Sequence, residues 1–232
     1  MTVEADETSQ DAAGDRPLRR DAERNRQRIL AAAAEVFTEH GLDATLDEVA
    51  RAAGVGIGTV YRRFPDKESL VAELFRARVD MLVTVAEEAC TALDPWQGVL
   101  TYLEFTAAAL GDNRGLCQLV MFGAYDRDQV RYARDRMYPV LTRLVERAQA
   151  SGDLRQDFRA TDVKIIAFML ASVAEYAAPV TPGLWRRYLA MLVDGLCPAR
   201  DGASELPVPA LTPAELADLM RARGQRPVPR SR

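Results

Sequence analysis

The stretch Thr45–Leu70, TLDEVARAAGVGIGTVYRRFPDKESL, constrains the fold more than any other part of this chain. Thr45 followed by Glu48 is a capping box, in which the hydroxyl accepts from a first-turn amide and the carboxylate reaches back to the cap. A helix therefore begins there. Leu46, Val49, Ala50 and Ala53 share one stripe at helical spacing, and Gly54 falls where a C-terminal residue with positive φ is wanted. A second short helix follows from Ile57 to Phe64, with Val60 and Phe64 facing inward, and Pro65 ends it while supplying the first position of a third. Two short helices around a glycine turn, the second presenting hydroxyls and guanidiniums outward, form the helix-turn-helix pattern of a major-groove reader.

Charge agrees with that pattern only when it is taken locally. The chain as a whole carries a formal charge of -4, which argues weakly against a nucleic-acid partner. Residues 1–15 hold five acids and no base. Residues 16–28, directly before the motif, carry Arg16, Arg19, Arg20, Arg24, Arg26 and Arg28 against only Asp21 and Glu23. Residues 1–16 lack apolar periodicity and are expected to be disordered. Residues 17–20 are expected to form an arm leading into a helix that starts at or shortly before Asp21, buries Ile29, Leu30, Ala33, Val36 and Phe37, and stops at Gly41.

Downstream of Pro65, helical spacing continues without Gly or Pro to about Leu93, so one long helix links this head to the remainder. Asp94-Pro95 caps the next helix, which stops at Gly111. A long helix from Asp128 to Ala150 contains Pro139, where a kink is expected. Thr161 is expected to cap a helix that is apolar nearly all round, and Thr181-Pro182 to cap the last main one. A helix apolar on every face is buried on every face, and Glu175 within it calls for a partner. From Pro198 the chain turns rich in Pro and Gly, interrupted by a capped amphipathic piece, Thr212–Arg223, whose Leu216, Leu219 and Met220 would dock on the body. The expected organisation is thus an acidic tail at 1–16, a helix-turn-helix domain at 17–64, a larger helical domain at 65–197 and a Pro-rich tail at 198–232.

Several classes of function fall away on composition. With 48% hydrophobic residues, the chain has enough for a sizeable core. No apolar run approaches the roughly 18 residues of a membrane span, and the amino-terminal residues are acidic where a secretory signal would be basic and then apolar; a cytoplasmic protein is expected. Cys90, Cys117 and Cys197 are scattered through apolar helical context and read as small core residues. His40 is the only histidine. Its solitude removes the paired-histidine metal motifs and any Ser-His-Asp arrangement, so neither an enzyme nor a resident cofactor is expected.

The run AxxAGVxxGTVYRRFPxKExL at Ala50–Leu70, preceded by RILAAAAEVFTEHG at Arg28–Gly41, closely resembles the DNA-binding domain of the TetR family of transcriptional regulators. More loosely, GDLRQDF and PGLWRRYLAMLVDGL look like the carboxy-terminal domain of SbtR-like regulators. The resemblance implies an all-α fold, a three-helix head on a larger helical body, a homodimer on a palindromic operator, and release by a small-molecule effector. It also implies that Gly56, Ile57, Gly58, Thr59, Tyr61 and Arg62 face the DNA. Most members have a hydroxyl at position 56 and Lys or Arg at 57, so this reading face is sparse. Ile57 would touch a thymine methyl or pack internally; Arg62 would bridge a guanine; Tyr61 would donate to a phosphate or join the core. Thr45 and Lys67, at helix N-termini, are candidate phosphate clamps. Arg19 and Arg20 would enter the minor groove or lie over the backbone.

For the body, the aromatic and methionine set Trp96, Tyr102, Phe105, Met121, Phe122, Tyr125, Met169 and Tyr176 spans the helices that would surround an effector pocket, and Ile166, Leu170, Tyr188 and Leu192 are candidates for the dimer interface. The competing reading is a small-molecule or lipid-binding helical protein with a weak DNA-binding head.

Overall fold

The computed structural model describes residues 11–40, 44–111, 127–177, 180–181, 183–197, 212–215 and 217–218, with 11–20, Thr38, Leu110, Gly111 and Glu175 at backbone level only. Every regular element among them is helical: α1 (Asp11–His40), α2 (Leu46–Ala53), α3 (Ile57–Arg63), α4 (Lys67–Ala89), α5 (Pro95–Gly111), α6 (Arg127–Ala150), α7 (Ala160–Ala177) and α8 (Trp185–Leu196). The chain forms two compact units, Met1–Glu73 and Leu74–Arg232. The division falls within α4, whereas sequence places it at 64/65, where the chain turns at Pro65. The first turns of α4 pack with the head, and Leu70 is fully buried there.

In the first unit, Ile29, Ala33, Val36 and Phe37 of α1, Leu46, Val49 and Ala50 of α2 and Val60 of α3 are all buried, with α1 packed on α2 and α2 on α3. α1 reaches back to Asp11, so Arg19 and Arg20 stand on a helix and not on an extended arm. Pro65 does not open α4. Phe64 is extended, as the residue before a proline must be, and Asp66 takes the cap, its Oδ1 accepting from the Ser69 amide at 2.7 Å before the helix starts at Lys67.

The second unit is built on Phe75, Val79 and Val83 of α4, Tyr102 and Leu103 of α5, Leu141 and Leu144 of α6, and Leu170 of α7. Asp94 caps α5 as expected, accepting from the amides of Trp96 at 2.9 Å and Gln97 at 3.2 Å. α6 passes through Pro139 as a single helix. Its Arg147 donates to the carbonyls of Cys90 and Ala92, which closes the C-terminal end of α4. α7 begins at Ala160, so Thr161 lies inside its first turn and is not the cap; Asp162, one residue further in, reaches back, its Oδ2 accepting from the Arg159 amide at 2.8 Å. Nor does Thr181 cap α8, which starts after Leu184 with no side-chain cap.

α7 is not buried on every face: Met169 and Tyr176 are exposed in the single chain. Cys90 and Cys197 are free thiols. No helix among the described residues is long and apolar enough to cross a membrane, and no cluster among them has the ligands for a metal ion. Cys117, the Glu175 side chain, and Leu216, Leu219 and Met220 lie outside the described residues.

Candidate nucleic-acid interface and body cavity

The reading face is assembled by local caps. Both halves of the Thr45–Glu48 box form: the Glu48 amide donates to Thr45 Oγ1 at 3.3 Å, and Glu48 Oε2 accepts from the Thr45 amide at 2.7 Å. Those bonds hold the Glu48 carboxyl below its usual range. Gly54 closes α2 with a φ of 62°, a conformation that costs an L side chain roughly 1 kcal/mol or more. The Val55 amide donates back to the Ala50 carbonyl at 3.1 Å, which aims α3 away from α2. Arg28 Nη2 donates to the Ala53 carbonyl at 2.8 Å, so α1 ties down the end of α2. Sequence reading counts Arg28 only as part of a basic patch; the orphan carbonyls ending α2 are the signal that it has a second use.

On this frame Val60 is fully buried, while Ile57 is 38% exposed and Tyr61 49% exposed. Neither is a core residue. Gly56, Gly58 and Arg62 are exposed and Thr59 half-buried. The six expected reader positions thus lie together on and just before one short helix. A Cβ added at Gly56 or Gly58 would meet nothing within 4 Å, so this surface is open to whatever approaches.

The two expected phosphate clamps are differently placed. Thr45 is exposed, but its Oγ1 and amide are both committed to Glu48. Lys67 Nζ sits 5.8 Å from the centroid of the Phe37 ring, a cation–π distance. Of the upstream arginines, Arg24 pairs with Asp21 at 2.6 Å, and Arg26 pairs with Glu23 at 3.0 Å and with Glu73. The Arg19 and Arg20 side chains lie outside the described residues.

In the second unit a partly open cavity of about 100 Å³ is lined by α4, α5, α6 and α7 and by Pro213 and Ala217. Apolar side chains such as Phe75, Val79, Leu82 and Leu141 make most of its wall, with Tyr102 and Thr106 from α5. Arg78 also lines it and is only 9% exposed. Its Nη1 contacts Met81 Sδ at 3.4 Å, and among the described residues its Nε and Nη2 have no hydrogen-bond partner. Burial brings this guanidinium down to about 10 and pushes the Tyr102 hydroxyl up to about 12.

Of the eight side chains expected at a pocket, Tyr102 alone lines this cavity among those described. Phe105 lines a separate groove of about 640 Å³ between α5 and α8. Trp96 packs on the outside of the core. Met169 faces outward and Tyr176 is 89% exposed. Met121, Phe122 and Tyr125 lie outside the described residues. Helical stripes do not reveal which side of an apolar helix faces a void, and Arg78, the most consequential wall residue, belongs to a residue type that a search for apolar stripes passes over.

The four expected interface residues also divide. Ile166 and Leu170 are buried in the body core of their own chain, where they are not available to a partner, and Leu192 packs against that core. Tyr188 is exposed. The uncovered apolar side chains of this region are instead Met169, Tyr176, Val180, Tyr188 and Met191.

Comparison with known proteins bears on both units. Residues 29–74 match the model for bacterial regulatory proteins of the tetR family, and residues 94–198 match that for the C-terminal domain of SbtR-like transcriptional regulators. The structure is similar to that of a TetR transcription regulatory protein from Mycobacterium vanbaalenii, at 33% identity and a TM-score of 0.58, covering 78% of this chain and 99% of that one. It is also similar to a TetR transcriptional regulator from Streptomyces coelicolor, at 32% identity and a TM-score of 0.56, covering 75% and 99%. An HTH-type transcriptional regulator of Staphylococcus aureus is 29% identical over 130 residues, 53% of this chain and 66% of that relative's length. The chain belongs to the TetR family of transcriptional regulators.

Proposed function

We propose that this chain binds operator DNA through α3, acts as a homodimeric repressor on a palindromic site, and is released by a small molecule bound in the body. The observation that carries this reading is the open face of α3. Ile57, Tyr61 and Arg62 project from a helix whose other side is anchored by Val60, a rigid mount of the kind base readout needs. Arg62 bridges a guanine, Ile57 meets a thymine methyl, and Tyr61 and the α2 cap at Thr45 contact phosphates. Arg19 and Arg20, carried on α1, add charge over the backbone. Lys67 joins the contact by leaving the Phe37 ring.

α4 supplies the coupling. It is continuous from Lys67 to Ala89 and contributes Phe75, Arg78, Val79 and Leu82 to the cavity wall. A ligand that prefers the α4 position of the free protein lowers DNA affinity by its differential binding to the two states. The site of action is the cytoplasm, where the DNA is.

Gel shifts with DNA from upstream of the chain's own coding region test this. Tyr61→Phe is expected to weaken binding to all sequences, and Arg62→Ala to relax preference at one operator position, with affinity falling steeply as salt rises. Equal losses from both variants at every position defeat the Arg62 assignment. Failure to bind any such fragment at low salt returns the chain to the alternative of a ligand-binding helical protein with a weak head.

A further inference from the structure

The cavity wall contains a charge that the fold does not use. A guanidinium removed from water costs several kcal/mol unless a counter-charge or a full set of acceptors meets it. Arg78 meets only the Met81 thioether, a weak acceptor, through Nη1. The donors left over are Nε and Nη2, which lie on one edge of the planar group and match the two oxygens of a carboxylate in side-on bidentate pairing. Thr161 adds a second unused group: it is 3% exposed, lines the same cavity, and its Oγ1 has no partner among the described residues. That hydroxyl has no capping duty, because Thr161 lies inside the first turn of α7 and not before it.

Charge and size narrow the occupant. The lining includes Arg78, Arg134 and Lys164 and, among the described residues, no acidic side chain. Only one of these cations is both buried and short of partners, which suits a single negative charge. The remaining wall is apolar. At about 100 Å³, the space is smaller than a cavity of roughly 150 Å³ that admits benzene, but it is partly open. The headgroup and the first few atoms of the body fill it, and the remainder projects through the opening.

Resting on the reading of this cavity as the effector site, we propose that the effector is a small monocarboxylate with an apolar body, its carboxylate paired side-on with Nε and Nη2 of Arg78 and its body packed against the apolar walls, with Thr161 as a further donor. Neutral compounds of the same shape leave the guanidinium unpaired and bind less well.

The test is calorimetric titration of the full chain, without DNA, with hexanoate and benzoate and with the shape-matched amides hexanamide and benzamide. At least one acid is expected to bind tighter than its amide by about tenfold or more. Arg78→Met should abolish that preference while retaining the amide's affinity, and Arg78→Lys should restore part of it. Thr161→Val is expected to weaken the acid more than the amide. Equal binding of acid and amide by the wild-type chain, an unchanged preference in Arg78→Met, or no saturable binding of either acid overturns the proposal. A melting curve and circular dichroism spectrum for Arg78→Met confirm folding, which the loss of an unpaired buried charge favours. Acid binding that leaves the DNA complex intact sinks the release reading alone; release by neutral ligands indifferent to Arg78 sinks this inference alone.

Discussion

Gly58 and Arg78 each carry a local cost that the fold does not repay. Gly58 lies within α3, has no positive φ, and a Cβ there would touch nothing, so alanine should be better by about 0.5–1 kcal/mol. Close approach of the backbone to DNA is a reason to keep glycine. Gly58→Ala is accordingly expected to raise the melting temperature and lower DNA affinity; higher stability at unchanged affinity would remove Gly58 from the contact surface. Arg78 is the same situation in the body. Arg78→Met is expected to raise stability by about 1–3 kcal/mol at neutral pH. Because the folded-state pKa, about 10, lies below the ordinary 12.5, the folded form holds fewer protons than the unfolded between those values, and wild-type stability recovers as pH rises through that window. The gap between variant and wild type should be full below pH 10 and narrow above it, as denaturant titration across pH can measure.

Elements in this chain are set largely by short-range caps, and most of those are legible in sequence. The Thr45–Glu48 box, Gly54 and Asp94 all act as their spacing predicts. Thr45→Ala should cost about 1 kcal/mol. The pH dependence has a definite sign: the Glu48 carboxyl is held below 4.5, so its contribution is present above that value and is lost as pH falls through the lower, folded value. Acid melts are expected to show less of this loss in Glu48→Gln, and an identical acid slope in both proteins would remove the box from the account. Exact helix starts are less legible: α4 starts at Lys67 and α7 at Ala160, so Pro65 falls before the one and Thr161 inside the other. The aspartates at these ends make opposite halves of a cap, Asp66 accepting from the Ser69 amide inside α4 and Asp162, inside α7, from the Arg159 amide just before it.

For the molecule as a whole, the uncovered apolar residues carry the expectation of a partner. Met169 and Tyr176 on α7, with Tyr188 and Met191 on α8, belong to helices whose opposite faces already fill the body core. Exposed apolar side chains in such number on neighbouring elements are characteristic of interfaces. On the proposed homodimer reading, Tyr176→Glu with Met191→Glu is expected to shift sedimentation from dimer to monomer without loss of helix content and to weaken DNA binding, since half-sites are then engaged singly. A double variant that still sediments as a dimer would place the interface elsewhere.

From sequence by itself come the helix-turn-helix head, the all-α class, the family, and Val60 as the inward side of α3. These follow because helical periodicity and capping are short-range and act within a few residues of each other. Tertiary structure alone decides which face of α7 is covered, that Ile166 and Leu170 belong to the core, that Arg28 and Arg147 close other helices' ends, and that Arg78 and Thr161 meet at one cavity. An apolar stripe says only that a face avoids water. What it packs against, and which charge is left without a partner, depends on residues far apart in the chain that meet only in the folded molecule.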